Sequence, residues 1–252
     1  NPTGSYKDRF SAFAISNLVA AGKNAVLGVS SGNAGASLAA YGAAVGIPCY
    51  VAILEKAAAG KLRQMLAYGA TLMRIRGFGF DPAVNDEVME GLGPLAAEMG
   101  AAQEISAFKY CPLTMQAVQT ISYELAEQLP GGPDHLFSPT AGGGLSLAVA
   151  RGFEHTDCKP AVHCVQPTGN NTIAGPLRAG EERAQTSRGD TAISALQIAN
   201  VIDGNETLAA CRATGGTGYL VSDEEVFSAQ ARMAREEGIF SEPAGAIGLA
   251  GA

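Results

Sequence analysis

The chain has 252 residues, of which 47% are hydrophobic and 16% are charged, and its net charge is −7. This length and composition predict a folded protein with a substantial core and exclude a disordered chain. No basic run indicates nucleic acid or an anionic membrane as a partner, and no apolar run reaches the roughly 18 residues that span a bilayer. Because no basic segment precedes an apolar stretch either, we expect a cytoplasmic protein. The five cysteines lack metal-ligand spacing, so we expect reduced thiols and no metal.

Strand-like and helix-like segments alternate along the first half of the chain. Short apolar runs occupy residues 25–30, 49–54 and 71–77, and the segments with helical spacing that follow them are 34–46, 57–69 and 81–100. Strands that alternate with helices across short loops predict βαβ units. Because the strands are almost continuously apolar, we expect a parallel sheet that is covered on both faces.

The same alternation continues in the second half. The pattern predicts helices over residues 114–129, 145–153 and 222–238, and strands over 135–140 and 161–167. The last of these helices begins with Ser222 as its N-cap and ends at a glycine. Residues 180–190 lack any period and are predicted to form a mobile surface loop. The first series closes near residue 115, which predicts two domains, residues 1–115 and 116–252.

The first motif of chemical interest is NPTGSYKD at residues 1–8. Pro and Gly predict a turn that leads to Lys7, where a helix begins. A lysine at this position meets the positive end of the helix dipole, which favours the neutral amine over the ammonium. A neutral amine reacts with an aldehyde, as a Schiff-base lysine must. The motif alone leaves open an ordinary solvated lysine.

The second motif is SSGNAGAS at residues 30–37, between a predicted strand and a predicted helix. Small residues let a ligand approach the backbone, and free N–H groups at a helix start suit a carboxylate or a phosphate. Two serines and Asn33 add hydroxyl and amide groups. The alternative is that these side chains only cap the helix.

The third motif is PTAGGGLSLAV at residues 139–149, which again joins a strand to a helix. Consecutive glycines predict a nest of backbone N–H groups that holds a phosphate without a Walker lysine. A dinucleotide site is disfavoured, because the loop lacks G-x-G-x-x-G and no acidic residue follows at the expected offset. A plain tight turn is the alternative.

Together the three motifs describe the partners of one cofactor. An imine-forming lysine, a carboxylate-binding loop and a monophosphate loop are what a pyridoxal-phosphate enzyme acting on an amino acid requires. The sequence therefore predicts pyridoxal 5'-phosphate as the cofactor and a small amino acid as the substrate. The rival hypothesis is a non-catalytic α/β domain that binds a nucleotide and in which Lys7 is a plain cation.

These motifs, with KLRQMLAYGA at 61–70 and VSDEEVFSAQARMAREEGIFSEPAGAIGLAG at 221–251, resemble the tryptophan-synthase-β-type (fold type II) pyridoxal-phosphate enzymes. The resemblance covers nearly the whole chain and is closest to threonine synthases. It implies two three-layer α/β domains with mostly parallel sheets and the cofactor in the cleft between them. It also implies a homodimer that converts O-phosphohomoserine and water to threonine and phosphate.

The resemblance also implies roles for particular residues. Lys7 carries the cofactor, and Asn33 bonds the phenolic oxygen of the cofactor. The substrate carboxylate is bound by the loop of Ser30, Ser31, Gly32, Asn33 and Ala34. The cofactor phosphate is bound by Gly142, Gly143, Gly144 and Leu145. In the resembling enzymes, strands and a helix precede the lysine and the partner of the pyridine nitrogen follows the Glu-Pro-Ala segment. We therefore expect both family termini to lie outside this chain.

Two departures from threonine synthases concern the substrate. Those enzymes carry Asn, Ser and Arg against the substrate phosphate around the stretch that here reads SAFKYCPLTMQ, at residues 106–116. This chain offers Lys109 and Thr114 there. Its glycine loop is also closer to that of threonine and serine dehydratases than to the Gly-Asn-x-Gly-Asn of many threonine synthases. A dehydratase, or another enzyme of β-elimination or replacement, stays open as the alternative.

Overall fold

The computed structural model describes residues 1–57, 59–79 and 81–252. These residues form two compact units. The first unit comprises Asn1–Ser106 and Tyr110–Ala117, and the second comprises Ala107–Lys109 and Val118–Ala252. The short segment Ala107–Lys109 thus belongs to the second unit although the chain on either side of it belongs to the first.

The first unit is built on a four-stranded parallel sheet. Its strands are β1 (Val26–Val29), β2 (Cys49–Ile53), β3 (Thr71–Arg74) and β4 (Ala102–Glu104), in the order β3-β2-β1-β4. Its helices are α1 (Lys7–Ala20), α2 (Asn33–Val45), α3 (Ala59–Ala67), α4 (Pro82–Glu98) and the single turn α5 (Pro112–Met115).

Strand β1 packs against the core on both faces of this sheet. Leu27 packs with Leu92 and Ala96 of α4. The neighbouring Gly28 faces α2, where a Cβ would lie 2.8 Å from a Leu38 methyl carbon. Because successive residues of a strand point to opposite faces, β1 packs against α4 on one face of the sheet and against α2 on the other. Burial of a leucine such as Leu27 contributes about 1.5–3 kcal/mol of transfer free energy, so this packing stabilises the unit.

The second unit contains a three-stranded parallel sheet. Its strands are β5 (His135–Pro139), β6 (Ala161–Pro167) and β7 (Gly218–Val221), in the order β5-β6-β7. Its helices are α6 (Thr120–Gln128), α7 (Gly144–Phe153), α8 (Ala174–Ala179), α9 (Gly204–Ala213), α10 (Asp223–Glu236) and α11 (Pro243–Gly251).

The central strand β6 again supplies both faces of its sheet. Val162 and Cys164 pack in one cluster with Leu208 of α9. Val165 belongs to the opposite cluster, where it packs with Ile247 of α11. The predicted α/β class with mostly parallel sheets is confirmed by these two sheets.

Several predicted elements differ in detail from those in the structure. The single helix predicted over residues 114–129 is α5, a 3₁₀ turn over Gln116–Gln119, and α6. The boundary between the two units passes through this 3₁₀ turn, between Ala117 and Val118. The helix predicted over residues 57–69 is observed as Ala59–Ala67, and residue 58 lies outside the described residues.

The loop after α8 matches the irregular stretch predicted over residues 180–190. The Gln185 N–H donates to the Thr172 carbonyl at 2.9 Å, and the Asp190 N–H donates to the Gly169 carbonyl at 2.7 Å. The mobility of this loop stays a prediction. The domain bounds predicted from the sequence, residues 1–115 and 116–252, also stay a prediction. Among the described residues, no helix combines the length and the apolar character that crossing a membrane requires.

Candidate active site

Lys7 is the first residue of α1, where the turn predicted from Pro2 and Gly4 ends. Its backbone N–H donates to the Ser5 hydroxyl at 3.3 Å. Its side-chain Nζ donates to the Ser106 hydroxyl at 2.7 Å and lies 4.9 Å from the centre of the Tyr6 ring. Ser106 follows strand β4, so the amine is held at the carboxyl end of a strand of the first sheet.

Asp8, the next residue, holds the turn around Lys7 in place. It is 1% exposed, and its carboxylate accepts hydrogen bonds from the Thr3 N–H at 2.8 Å and the Thr3 hydroxyl at 2.7 Å. It also accepts a 2.7 Å bond from the Ser37 hydroxyl of α2. A buried carboxylate is stable only with such donors. Asp8 therefore ties α1 to the helix that begins with the SSGN loop, a role that was not assigned from the sequence.

The serine loop joins β1 to α2, as predicted. The Ser30 hydroxyl accepts the Gly32 N–H at 3.1 Å, and the Ser31 hydroxyl accepts the Leu54 N–H at 3.0 Å. A hydroxyl that accepts a bond is oriented by it and still has its own hydrogen to donate. Asn33 is the first residue of α2, and the N–H groups of the first helical turn have no carbonyl partner within their own helix. The loop therefore suits a carboxylate.

Gly35 lets the start of α2 pack closely under this loop. A Cβ at this position would lie 2.7 Å from the Met65 sulfur and 2.9 Å from the Ser30 carbonyl oxygen. Any side chain would push the helix away from the loop. The glycine therefore keeps the helix N–H groups next to the two serine hydroxyls.

Glu104, the last residue of β4, was not identified from the sequence. Burial raises the pKa of its carboxyl, and the Thr114 hydroxyl and the Cys111 thiol partly offset this effect. Its Oε2 is buried and has no hydrogen-bond partner among the described residues. Thr114, predicted to contact the substrate phosphate, is itself 6% exposed beside this carboxyl. Its contact with substrate stays a prediction.

The glycine loop of the second unit joins β5 to α7, as predicted. Gly143 has a φ of 103°, and a Cβ there would lie 2.3 Å from the Thr207 hydroxyl oxygen. The neighbouring Gly142 carbonyl accepts a 3.0 Å bond from the Asp203 N–H. Gly144 and Leu145 begin α7, whose first-turn N–H groups lack carbonyl partners within the helix. The loop therefore has the donors that a phosphate requires.

Hydrogen bonds among three hydroxyl side chains connect the residues on either side of this loop. The Thr140 hydroxyl donates to the Ser138 carbonyl at 3.0 Å and shares a 2.8 Å hydrogen bond with the Ser146 hydroxyl. The Ser138 and Ser146 hydroxyls are also 2.8 Å apart. All three side chains are buried. These bonds connect the end of β5 to the first turn of α7 and so restrict the backbone on both sides of the glycines.

Lys109 is exposed and lies in the Ala107–Lys109 segment of the second unit. The N–H groups of Phe108 and Lys109 each donate at 2.9 Å to one oxygen of the Asp203 carboxylate. The Arg151 guanidinium stacks 4.9 Å from the Phe108 ring centre. Phe108, Lys109 and Asp203 border a pocket of about 270 Å³, which is also lined by Ile202, Asn205 and Glu206.

Within each unit, the predicted residues group at the carboxyl ends of the strands. In the first unit Lys7 contacts the segment that follows β4, and residues 30–34 follow β1, the neighbour of β4 in the sheet. In the second unit Asp203 contacts both the glycine loop and the Lys109 segment. Sequence reasoning missed Asp8, Ser106 and Asp203, because only their contacts with distant residues distinguish them from other polar side chains.

Comparison with known proteins assigns the chain to a family. The family model described as pyridoxal-phosphate dependent enzyme matches residues 1–252. The chain belongs to the pyridoxal-phosphate-dependent enzyme family. Two solved structures agree in fold: maize serine racemase, with a TM-score of 0.81 and 25% identity, and a threonine deaminase from T.th., with a TM-score of 0.81 and 26% identity. The superpositions cover 99% and 98% of this chain, and 72% and 77% of those chains.

Curated relatives of similar sequence are threonine synthases. The chain is 34% identical over 261 positions to that of Methanosarcina acetivorans and 33% identical over 257 positions to that of Bacillus sp. (strain ULM1). Both alignments include 100% of this chain, and they cover 62% and 68% of the two relatives. The chain thus spans about two thirds of the length of these proteins.

Proposed function

We propose that this protein is a pyridoxal-phosphate-dependent lyase of threonine synthase type, which converts O-phosphohomoserine and water to threonine and phosphate. The observation that carries the proposal is the position of Lys7, at the start of α1 with its Nζ 2.7 Å from the Ser106 hydroxyl. The 34% identity to a threonine synthase, which extends over the entire chain, supports the choice of reaction.

The described residues fit pyridoxal phosphate as the cofactor. Lys7 supplies the primary amine for its aldehyde, and Asn33 is proposed to bond its phenolic oxygen. The N–H groups of Gly142, Gly143, Gly144 and Leu145 are proposed to bind its phosphate, because the start of a helix attracts an anion. When bound, the cofactor withdraws electrons from the substrate α-carbon and so acidifies its proton.

The protein residues then have separate tasks. The substrate carboxylate is proposed to bind to the serine loop beside Gly32, where the hydroxyls of Ser30 and Ser31 and the N–H groups at Asn33 and Ala34 donate to it. With the cofactor bound, the Lys7 amine would act as the general base that removes the substrate α-proton. Ser106 accepts a hydrogen bond from that amine and keeps its nitrogen at a defined position.

The distal phosphate of the substrate requires a cation, because burying a dianion without a partner is prohibitively unfavourable. Lys109 is the cation that this chain places in the segment where threonine synthases grip the phosphate, and Thr114 is the weaker donor. We therefore propose both as substrate-binding residues, with Lys109 as the principal one.

A threonine or serine dehydratase is the second candidate function. The glycine loop Ala141–Leu145 reads AGGGL, and the fold superposes on the T.th. threonine deaminase with a TM-score of 0.81. Such an enzyme loses the β-hydroxyl of its substrate and releases ammonia and a 2-oxo acid. It has no substrate phosphate and therefore does not need Lys109.

The cofactor assignment is tested by absorbance and by chemical trapping. The purified protein should show a visible band with pyridoxal phosphate, and borohydride should fix the cofactor to the peptide that contains Lys7. Lys7→Ala should abolish both signals, whereas Lys23→Ala, which changes an exposed lysine beyond the other end of α1, should retain them. A protein without the band would support the nucleotide-binding alternative.

The reaction is tested by the products. Phosphate release from O-phosphohomoserine should exceed the release of 2-oxobutanoate from L-threonine. The opposite ratio would favour the dehydratase. The proposal extends to a homodimer located in the cytoplasm, as in the enzymes that the sequence resembles. Sedimentation of the full-length protein tests the dimer, and fractionation of the source cells tests the location.

A further inference from the structure

Asp203 immediately precedes α9, at the N-cap position of the helix, and is 3% exposed. An aspartate at this position usually accepts an N–H from the first turn of its own helix. No such bond to its side chain is found in the described structure. Its two oxygens instead accept the N–H groups of Phe108 and Lys109, which are 95 and 94 residues away in the sequence.

The backbone of Asp203 is held as firmly as its side chain. Its N–H donates to the Gly142 carbonyl at 3.0 Å, and its carbonyl accepts the N–H of Thr207 at 2.9 Å and the Thr207 hydroxyl at 2.7 Å. The Thr207 hydroxyl is also the group that leaves no room for a Cβ at Gly143. Asp203 therefore joins the Lys109 segment to the glycine loop: its carboxylate accepts bonds from the segment, and its N–H donates to the Gly142 carbonyl.

Further contacts connect the Ala107–Lys109 segment to α7 and α9 of the same unit. Arg151 of α7 stacks on the Phe108 ring at 4.9 Å and lies 3.9 Å from the Glu206 carboxylate of α9. The Lys109 side chain itself stays exposed at the border of the pocket. Asp203 thus holds the backbone of Lys109, while the Lys109 side chain is exposed beside the pocket that Asp203, Asn205 and Glu206 help to form.

We propose that Asp203 is a positioning residue, which sets the place of Lys109 relative to the Gly142–Leu145 loop and thereby the binding of the distal anionic group of the substrate. This inference rests on the proposed function, because it assigns Lys109 to the substrate phosphate. In this role Asp203 acts through the two N–H groups that it holds, rather than through contact with substrate or cofactor.

The first experiment tests, without any substrate, whether Asp203 holds the backbone of Phe108 and Lys109. Asp203→Ala removes both acceptors, so hydrogen exchange of the Phe108 and Lys109 amides in the holoenzyme should become at least tenfold faster. Asp223→Ala is the matched control and should leave the exchange of these two amides unchanged, because the Asp223 carboxylate holds a different loop of this unit, through the Thr191 hydroxyl and the Ala192 N–H. Unchanged exchange in Asp203→Ala would overturn the proposal.

The second experiment is a double-mutant cycle with O-phosphohomoserine. Asp203→Asn keeps the size of the side chain but turns an N–H donor toward one of the two backbone N–H groups. It should raise KM about tenfold with kcat changed less than about twofold, as expected when binding rather than chemistry is lost. Asp223→Asn should leave KM within about twofold.

The cycle also separates positioning from a general loss of structure. If Asp203 acts through Lys109, Asp203→Asn combined with Lys109→Ala should be no worse than Lys109→Ala alone. If the KM increases of the two single variants multiplied in the double variant, the proposal would be overturned. An unchanged KM in Asp203→Asn would overturn it as well. Failure of the proposed function is recognised separately: the unmodified enzyme would then release no phosphate from O-phosphohomoserine, while the exchange experiment would still report on Asp203.

Discussion

The Ser37 hydroxyl of α2 donates a 2.7 Å hydrogen bond to the Asp8 carboxylate of α1, and both side chains are buried. Asp8 follows Lys7 directly, and Ser37 lies one turn after Asn33. This bond therefore connects the two segments that are proposed to hold the cofactor aldehyde and the substrate carboxylate. Since a charged acceptor strengthens the bond, it is a principal restraint on the position of α1.

Replacing Asp8 should destabilise the protein and the site together. Asp8→Ala leaves the Thr3 and Ser37 donors without their acceptor, and we expect a loss of about 3 kcal/mol or more in unfolding free energy. Cofactor binding should weaken in parallel, because Lys7 is the adjacent residue. Urea unfolding and titration with pyridoxal phosphate measure the two effects. Asp157→Ala, which changes an exposed aspartate, should alter neither. Wild-type stability in Asp8→Ala would contradict the role given to this carboxylate.

Gly143 and Gly142 should respond differently to alanine. At Gly143 the positive φ and the 2.3 Å approach of a Cβ to the Thr207 hydroxyl should cost about 2–4 kcal/mol in stability. At Gly142 a Cβ meets only ordinary contacts, the nearest being the Ile202 side chain at 3.4 Å, so the loss should stay below about 1 kcal/mol. Cofactor affinity should fall at least tenfold in Gly143→Ala. Denaturation curves and cofactor titrations test both variants, and equal losses at the two positions would show that the loop packs differently.

Lys109 should distinguish phosphorylated from unphosphorylated substrates. A charge-assisted contact contributes roughly 1.5–3 kcal/mol, so Lys109→Ala should raise KM for O-phosphohomoserine about tenfold or more. Turnover of L-threonine or L-serine should be nearly unchanged, because neither carries the phosphate. Steady-state kinetics with the three substrates test this. Arg178→Ala removes an exposed cation of the same unit at the end of α8 and should behave as wild type. Phosphate release that is indifferent to Lys109→Ala would exclude Lys109 from substrate binding.

His163 should make the stability depend on pH. Burial, and then the charge of His135, lower the pKa of His163 below its ordinary value. The Thr217 N–H donates to its Nδ1 at 3.0 Å, so this nitrogen is unprotonated, and its Nε2 lies 3.0 Å from the Nδ1 of His135. The unfolded chain binds the proton more readily than the folded one. The stability contribution is therefore fully present above the unfolded pKa of about 6.5 and is lost as the pH falls below it.

Urea unfolding between pH 7.5 and pH 5 measures this dependence. In His163→Gln the protein should be less stable at pH 7.5 but should lose less of its stability on acidification. His155→Gln, which removes an exposed histidine, should retain the wild-type slope. A slope in His163→Gln equal to that of the wild type would assign the pH dependence to other groups.

Much of the secondary structure could be predicted from the sequence, because the spacing of apolar residues and the capping residues lie within a few positions of one another. The run AVHCVQP predicted β6 with its observed bounds, and Ser222 with Glu225 forms the capping box that starts α10. The strands β4 and β7 were not predicted. β4 is only three residues long and reads Ala-Gln-Glu, so it carries no apolar alternation. It is a strand because it pairs with β1, and such pairing is not visible in the local sequence.

Local sequence was sufficient to predict the α/β order, the turn that leads to Lys7 and the two strand-to-helix loops that contain Asn33 and Gly142–Leu145. Each depends on residues within about ten positions of one another, where propensity and spacing act directly. The folded structure was needed to show that the Ser106 hydroxyl accepts from the Lys7 amine, that Ser37 donates to Asp8, and that Asp203 joins Lys109 to Gly142. These bonds join residues 29 to 99 positions apart. Polar side chains at such separations meet only when the burial of apolar strands and helices has brought their elements together.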